Sequence, residues 1–113
     1  MLQKGERIDF ERRVEALIVH VKGEIDHHSA VLTRTCIDRE ILATQPREVL
    51  LELSGVDFMD SSGLGLIMGR YALVKQYGGI LSLLDPSYAV IKILRLAGMD
   101  RTIPIKKTKE MKR

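Results

Sequence analysis

Residues 56–71 read VDFMDSSGLGLIMGRY, and this stretch holds the change from strand to helix that decides the fold. Directly before it, residues 49–53 form the apolar run VLLEL, which is typical of a buried strand. From about residue 62 to residue 77 the apolar side chains recur at helical spacing, and two glycines follow at the expected helix end. The pattern predicts a strand, a polar junction and a helix in succession. The side chains predicted to face the core from this helix are those of Leu64, Ile67, Met68, Tyr71 and Val74.

The alternation of strand and helix continues on both sides of this stretch. Short runs with a period of two residues indicate strands, and longer segments with a period near 3.6 indicate helices. The predicted strands are 8–10, 17–23, 49–53, 80–84 and 102–105, and the predicted helices are 28–44, 62–77 and a third that Pro86 opens. The side chains expected to face inward from the first and third helices are those of Ala30, Thr33, Ile37, Ile41, Val90, Ile93, Leu94 and Ala97.

This order of elements predicts the fold class. Strands that alternate with helices after an initial hairpin imply right-handed crossovers and a mostly parallel sheet. We therefore expect a small α/β domain over residues 1–105, with about five strands and with helices packed on the sheet. Residues 106–113 form a basic C-terminal tail: residues 101–113 carry a net charge of +5, whereas the rest of the chain carries −2.

Composition and charge narrow the classes of function. The 113 residues, 45% of them hydrophobic, suit one ordered domain. The chain has one cysteine, so no internal disulfide and no CxxC zinc site is expected. No signal peptide and no apolar run of roughly 20 residues is present, and the aromatic platforms and basic stripe of a nucleic-acid-binding protein are missing. We expect a cytoplasmic protein that uses no cofactor or metal and contacts neither DNA nor a membrane.

The DSSG junction at residues 60–63 has a structural and a functional interpretation. Asp and Ser are the best N-cap residues, because their oxygens accept hydrogen bonds from the unpaired N–H groups of the first helical turn. The same position exposes a serine hydroxyl where a phosphate would meet those N–H groups and the positive end of the helix dipole. Phosphorylation would add roughly −1.5 to −2 charge there without unfolding the domain. Taken alone, the motif favours the structural interpretation.

Together with GEIDHHSA at residues 23–30, the stretch VDFMDSSGLGLIMGRY resembles the STAS-domain anti-sigma factor antagonists, and among them the sporulation type that acts on anti-sigma F factors. The resemblance spans roughly residues 8–105, with the motifs in the expected order. It implies a STAS-type fold and a regulatory protein that is not an enzyme. It also implies that Ser61, the first serine of DSSG, is phosphorylated by the partner, an anti-sigma factor serine kinase, and dephosphorylated by a protein serine phosphatase.

The resemblance further implies a binding surface around Ser61. The unphosphorylated chain would bind the kinase and free the sigma factor, and phosphorylation would switch that binding off. Parallel crossovers place strand-to-helix junctions on one edge of the sheet, so both motifs are expected in one patch. The residues assigned to this surface are Glu24, Asp26, His27, His28, Asp60, Ser61, Ser62, Gly63, Leu64 and Gly65. The alternative is a soluble STAS scaffold or regulatory module without sigma-factor release.

A dinucleotide-binding site is a competing interpretation of the glycines. GLGLIMG at residues 63–69 resembles the phosphate-binding fingerprint, and Asp85 follows about 20 residues later. The spacing, however, is G-x-G-x-x-x-G, and about nine residues separate it from the expected strand end at Leu53. Both features disfavour a tight phosphate-binding turn.

A hydrolase is the second competing interpretation. Asp26, His27, His28 and Ser61 supply the residue types of a catalytic triad. No G-x-S-x-G elbow surrounds either serine of the DSSG motif, and Asp26 is expected instead to cap a helix. The remaining histidine, His20, lies in a predicted strand, where we expect it to be packed or hydrogen-bonded for structural reasons.

Overall fold

A computed structural model describes residues 7–108 of the chain. The strands are β1 (Ile8–Arg12), β2 (Ala16–Ile25), β3 (Glu48–Met59), β4 (Ile80–Leu84) and β5 (Ile105–Lys106). The helices are α1 (His27–Thr44), α2 (Ser61–Gln76) and α3 (Tyr88–Leu96), followed by a 3-10 turn at Met99–Arg101. The strands form one sheet in sequence order, in which β1 is antiparallel to β2 and the following pairs are parallel. The predicted fold class, a small α/β domain with a mostly parallel five-stranded sheet, is confirmed.

The strand β3 is longer than the sequence predicted, because two β-bulges carry it past Leu53. Between the His20–Glu52 pair and the Ile25–Met59 pair, β3 uses two more residues than β2, and the register shifts twice. Bulges break the alternation of inward and outward side chains. The buried residues of the extension therefore fall three apart, at Leu53, Val56 and Met59, and give no strand signal. The predicted strand end at Leu53 was therefore wrong. The distance of nine residues between the strand end and the first glycine, which disfavoured a dinucleotide-binding site, was wrong for the same reason. The G-x-G-x-x-x-G spacing of the glycines still disfavours such a site.

The third helix begins later than predicted. Pro86 does not open it; α3 starts at Tyr88, after Ser87 as N-cap. The Ser87 hydroxyl accepts a hydrogen bond from the first turn and donates one to the carbonyl of Val56, at 2.7 Å. This second bond ties the start of α3 to the extension of β3. At the other end, Gly98 takes the left-handed conformation (φ 75°) that follows many helix ends.

One cluster of buried apolar side chains lies between the sheet and the three helices. In α2 the buried face is turned relative to the predicted one: Ile67 and Val74 are buried, but Leu64 and Tyr71 are only half-buried and Met68 is 39% exposed. The buried residues of α2 are Gly63, Leu66, Ile67, Arg70 and Val74. A glycine and an arginine belong to this face, so a search for apolar residues at helical spacing placed it wrongly. In the third helix Ala97 is likewise exposed, contrary to prediction.

The C-terminal part of the fold extends past the predicted domain boundary at residue 105. The last strand holds only Ile105 and Lys106, not residues 102–105. The ammonium group of Lys106 lies 3.1 Å from the carboxylate of Glu48, and the Thr108 N–H donates to Asp85 at 2.9 Å. The rest of the predicted basic tail, residues 109–113, lies outside the described residues.

His20 is hydrogen-bonded to two carboxylates, as a structural histidine was expected to be. Its Nδ1 lies 2.8 Å from Glu52 and its Nε2 lies 3.1 Å from Glu11. Burial by itself would lower the pKa of His20, but the hydrogen bonds to Glu52 and Glu11 outweigh it and raise that pKa above its ordinary value of 6.5. The protonated ring is therefore favoured by the folded state.

The first prediction concerns this histidine. A histidine whose pKa is raised in the folded state stabilises the fold. This stabilisation is fully present at pH values below the pKa of the unfolded state, and it is lost as the pH rises through the pKa of the folded state. The free energy of unfolding of the wild type should therefore fall above pH 6.5 more steeply than that of His20→Gln. Urea unfolding across this range tests it, with His27 and His28 as a background common to both proteins. Parallel pH profiles would contradict the prediction.

The second prediction concerns Gly63. A Cβ built there would lie 2.9 Å from the Met59 sulfur and 3.3 Å from Ile25, whereas at Gly69 it meets no atom within 4 Å. Met59 and Ile25 are buried and have little room to move. Gly63→Ala should therefore destabilise the domain by about 1–3 kcal/mol through overpacking. Gly69→Ala is the matched control and should stabilise it by about 0.5–1 kcal/mol through helix propensity. Equal changes in the urea midpoint would refute the packing argument.

Candidate functional site at the ends of two strands

The carboxyl ends of β2 and β3 lie side by side and bring the two sequence motifs together. Ile25 pairs with Met59, and the Asp60 N–H donates to the Ile25 carbonyl at 3.3 Å. An aspartate follows each strand, and a helix follows each aspartate. The GEIDHH segment and the DSSG junction are therefore neighbours at one edge of the sheet.

The first of these aspartates, Asp26, is the N-cap of α1. Its carboxylate accepts hydrogen bonds from the N–H groups of His28 (3.0 Å) and Ser29 (2.9 Å), and its own N–H donates to the Ser29 hydroxyl at 3.0 Å. The Ser29 hydroxyl also donates to the Glu24 carbonyl, at 2.8 Å. These hydrogen bonds, led by the one from the Ser29 backbone, hold the pKa of Asp26 below its ordinary value. The carboxylate therefore stays ionised and helps to position the start of α1.

The second aspartate, Asp60, caps α2 and leaves both serines of the motif within the helix. Its carboxylate accepts from the Ser62 N–H at 2.8 Å. Ser61 is the first helical residue and is exposed, and its hydroxyl makes no hydrogen bond within the described part of the chain. Ser62 is half-buried and faces α1. The two serines therefore differ in access although they are adjacent.

The other predicted surface residues are exposed or half-buried, with one exception. Glu24, opposite Phe58 in the sheet, is exposed, and so are His27 and His28, whose rings meet edge to face at 5.7 Å. Two further residues, Leu64 and Gly65, are half-buried and exposed, respectively. Gly63 is buried against Met59 and so serves packing rather than the surface.

The residue types of a triad are present, but they do not form one here. The Asp26 carboxylate accepts from backbone N–H groups, and no hydrogen bond joins a histidine ring to Ser61 among residues 7–108. In the same part of the chain no group of three or more His, Cys, Asp or Glu side chains is placed to hold a metal ion. None of its helices has the length and apolar character needed to cross a bilayer.

A groove of about 400 Å³ runs between α1 and α2, and sequence reasoning missed it. His27 and Ser62 line it at the start of the two helices, and further along it is lined by Ala30, Val31, Arg34, Gly65, Leu66, Gly69 and Arg70. The repeat of glycine at positions 65 and 69 was its only signal in the sequence. The lining residues of α1 recur every three or four positions, but they are not apolar enough to mark a face.

An ion pair between a buried arginine and a half-buried aspartate lies at the far end of this groove. The Arg70 guanidinium lies 2.6 Å from the Asp38 carboxylate of α1, and Arg70 is only 7% exposed. Burial lowers the pKa of Arg70 and raises that of Asp38, and the attraction between the two charges opposes both shifts. Removing Asp38 would leave the buried charge of Arg70 uncompensated, so the pair helps to hold α1 against α2.

Comparisons with known proteins agree with this architecture. The family model of the STAS domain matches residues 7–111. The anti-sigma F factor antagonist of Paenibacillus polymyxa is 38% identical over 99 residues, which cover 88% of this chain and 85% of that protein. The unphosphorylated form of the anti-sigma factor antagonist SpoIIAA is similar with a TM-score of 0.77 and 27% identity, over 92% of this chain and 91% of that chain. The phosphorylated form of Bacillus SpoIIAA is similar with a TM-score of 0.70 and 27% identity, over 92% and 95%.

The third prediction tests the role of Asp26 as a cap. Asp26→Ala should lower the midpoint of thermal unfolding by several degrees, because two N–H groups of α1 lose their acceptor. Asp26→Asn is the matched control, since its amide oxygen can accept the same bonds, and it should unfold close to the wild type. If alanine and asparagine unfold at the same temperature, the hydrogen bonds to Asp26 do not stabilise the fold.

Proposed function

This chain belongs to the STAS-domain family of anti-sigma factor antagonists, and we propose that a phosphate on Ser61 switches off its binding to an anti-sigma factor serine kinase. The unphosphorylated form binds the kinase and frees the sigma factor, and a protein serine phosphatase restores that form. The observation that carries the proposal is the position of Ser61, an exposed hydroxyl at the first residue of α2, beside both aspartate caps. ATP chemistry belongs to the kinase, and this chain supplies the acceptor hydroxyl and a docking surface.

The local geometry supports phosphorylation without unfolding. Asp60 caps α2, so a change at Ser61 leaves the cap in place. A phosphate there lies at the N-terminal end of α2, where the positive end of the helix dipole favours an anion. The likeness of the fold to SpoIIAA in both forms supports the same conclusion.

The contrast between the two serines favours Ser61 as the acceptor. A kinase must bring its ATP within reach of the hydroxyl that it phosphorylates. Ser61 is exposed, whereas Ser62 is half-buried in the groove between α1 and α2.

The docking surface comprises exposed and half-buried residues of the two motifs, which are Glu24, Asp26, His27, His28, Asp60, Ser62, Leu64 and Gly65. A partner that covers this surface must remove water from Ser61. A phosphate dianion buried there needs paired charges or several donors, and without them its desolvation costs several kcal/mol. The carboxylates of Asp26 and Asp60 nearby add like charge. A loss of about 3 kcal/mol would weaken binding more than a hundredfold.

The fourth prediction is a comparison of three variants with the purified anti-sigma factor kinase of the same organism. Ser61→Ala should bind it and displace the sigma factor, and should stay bound with ATP because it cannot be phosphorylated. Ser61→Asp should fold normally and bind at least about tenfold more weakly, since it places a charge where the dianion forms. Ser62→Ala is the control and should still accept phosphate. Calorimetric titration, sigma-factor displacement and phosphate mapping by mass spectrometry provide the readouts.

Three outcomes would contradict the proposal. Phosphate found on Ser62 would move the switch to the other serine. Equal affinities of Ser61→Ala and Ser61→Asp would leave the switch without an electrostatic basis. Binding of the kinase with the sigma factor still attached would indicate a scaffold instead of an antagonist.

A further inference from the structure

The groove between α1 and α2 begins at the docking surface around Ser61. We propose, building on the proposed function, that this groove receives an acidic segment of the anti-sigma factor kinase, with a carboxylate of that segment paired to Arg34. Its mouth is lined by His27 and Ser62, in the same first helical turns that hold the two motifs. A partner that reaches the Ser61 hydroxyl is therefore already at the groove.

The charge of the lining identifies the kind of segment that fits. The lining contains His27, Arg34 and Arg70 and no aspartate or glutamate. Arg70 is neutralised by Asp38, which lies behind it. Arg34 is exposed and makes no ion pair within residues 7–108; it attracts Asp38 only over a longer distance, and that carboxylate is already paired with Arg70, so the charge of Arg34 remains available to a partner. Complementary charge across an interface favours an acidic occupant over a basic one.

Two glycines leave open space along the groove. A Cβ added at Gly65 or at Gly69 would meet no atom within 4 Å, and neither residue has a positive φ. Glycine in a helix interior is less stable than alanine. No atom of residues 7–108 occupies the space that a side chain at Gly65 or Gly69 would fill. We therefore assign this open space to the backbone of the partner segment.

This placement gives the phosphate a second way to release the partner. A dianion on Ser61 would lie at the mouth of a groove that holds carboxylates. Like charges in a partly desolvated interface repel each other strongly. Phosphorylation would therefore expel the acidic segment in addition to raising the desolvation cost at Ser61.

The fifth prediction tests the groove by titrating the purified kinase with paired charge variants. Arg34→Glu should weaken binding at least about tenfold and make the affinity less dependent on salt. Arg39→Glu is the matched control: it makes the same change on the same helix, at an exposed residue outside the groove, and should bind within about twofold of wild type. Thermal melting of both variants confirms that each is folded.

Gly69→Ala provides an independent test in which stability and binding change in opposite directions. It should raise the midpoint of thermal unfolding by about 2–8 °C, because alanine favours the helix. It should nevertheless weaken kinase binding, because its methyl group enters the groove. A variant that is more stable but binds worse cannot be explained by damage to the fold.

The outcomes separate this inference from the proposed function. If the wild type binds no kinase, both fail. If the wild type binds and responds to Ser61→Asp, while Arg34→Glu matches Arg39→Glu and Gly69→Ala binds like the wild type, only the groove assignment fails. If Arg34→Glu instead changes the mass of the free protein in analytical ultracentrifugation, the groove holds a second copy of this chain, which also overturns the assignment.

Discussion

The pairing of Ile25 with Met59 is the contact on which the candidate site depends. It makes β2 and β3 end at the same level, although β3 must use two extra residues to get there. Each strand then passes through one aspartate into a helix, and the hydrogen bond from Asp60 to the Ile25 carbonyl joins the two turns. Without the bulges, the DSSG junction would be out of register with Asp26, and the two motifs would not share a surface.

The close approach of α2 to this strand pair explains much of its unusual sequence. Gly63 lets the first turn pack directly on Met59 and Ile25. Gly65 and Gly69 lie on sides of the helix where a side chain would fit. Each lowers the stability of the helix by about 0.5–1 kcal/mol relative to alanine, and no closer packing among the described residues offsets this loss. The helix therefore depends on its core contacts and on the Arg70–Asp38 ion pair more than on intrinsic propensity.

The elements that sequence reasoning placed well are those whose pattern is purely local. The helix α1 and the strand β4 lie within one residue of their predicted bounds, and Pro46 after α1 gave a clear end signal. Sequence reasoning failed where the structure depends on contacts between segments that are distant in the chain. The bulges of β3 depend on its pairing with β2. The burial of Arg70 depends on Asp38, a residue 32 positions earlier on another helix. The positions of Ser61 and its neighbours followed from motif resemblance and capping chemistry, whereas the groove beside them needed the packed structure.

Asp60 caps α2, whereas Ser61 is the proposed phosphate acceptor, and this separation of roles has an evolutionary consequence. The side-chain hydrogen bond that caps α2 comes from Asp60, so the helix does not need the side chain at position 61 for capping. Under the switch proposed for Ser61, one codon change at that position would convert a regulated domain into a permanently active or a permanently silent one while Asp60 keeps the helix capped. A duplicated copy of such a gene can lose its regulation in a single mutational step, and can regain it just as easily.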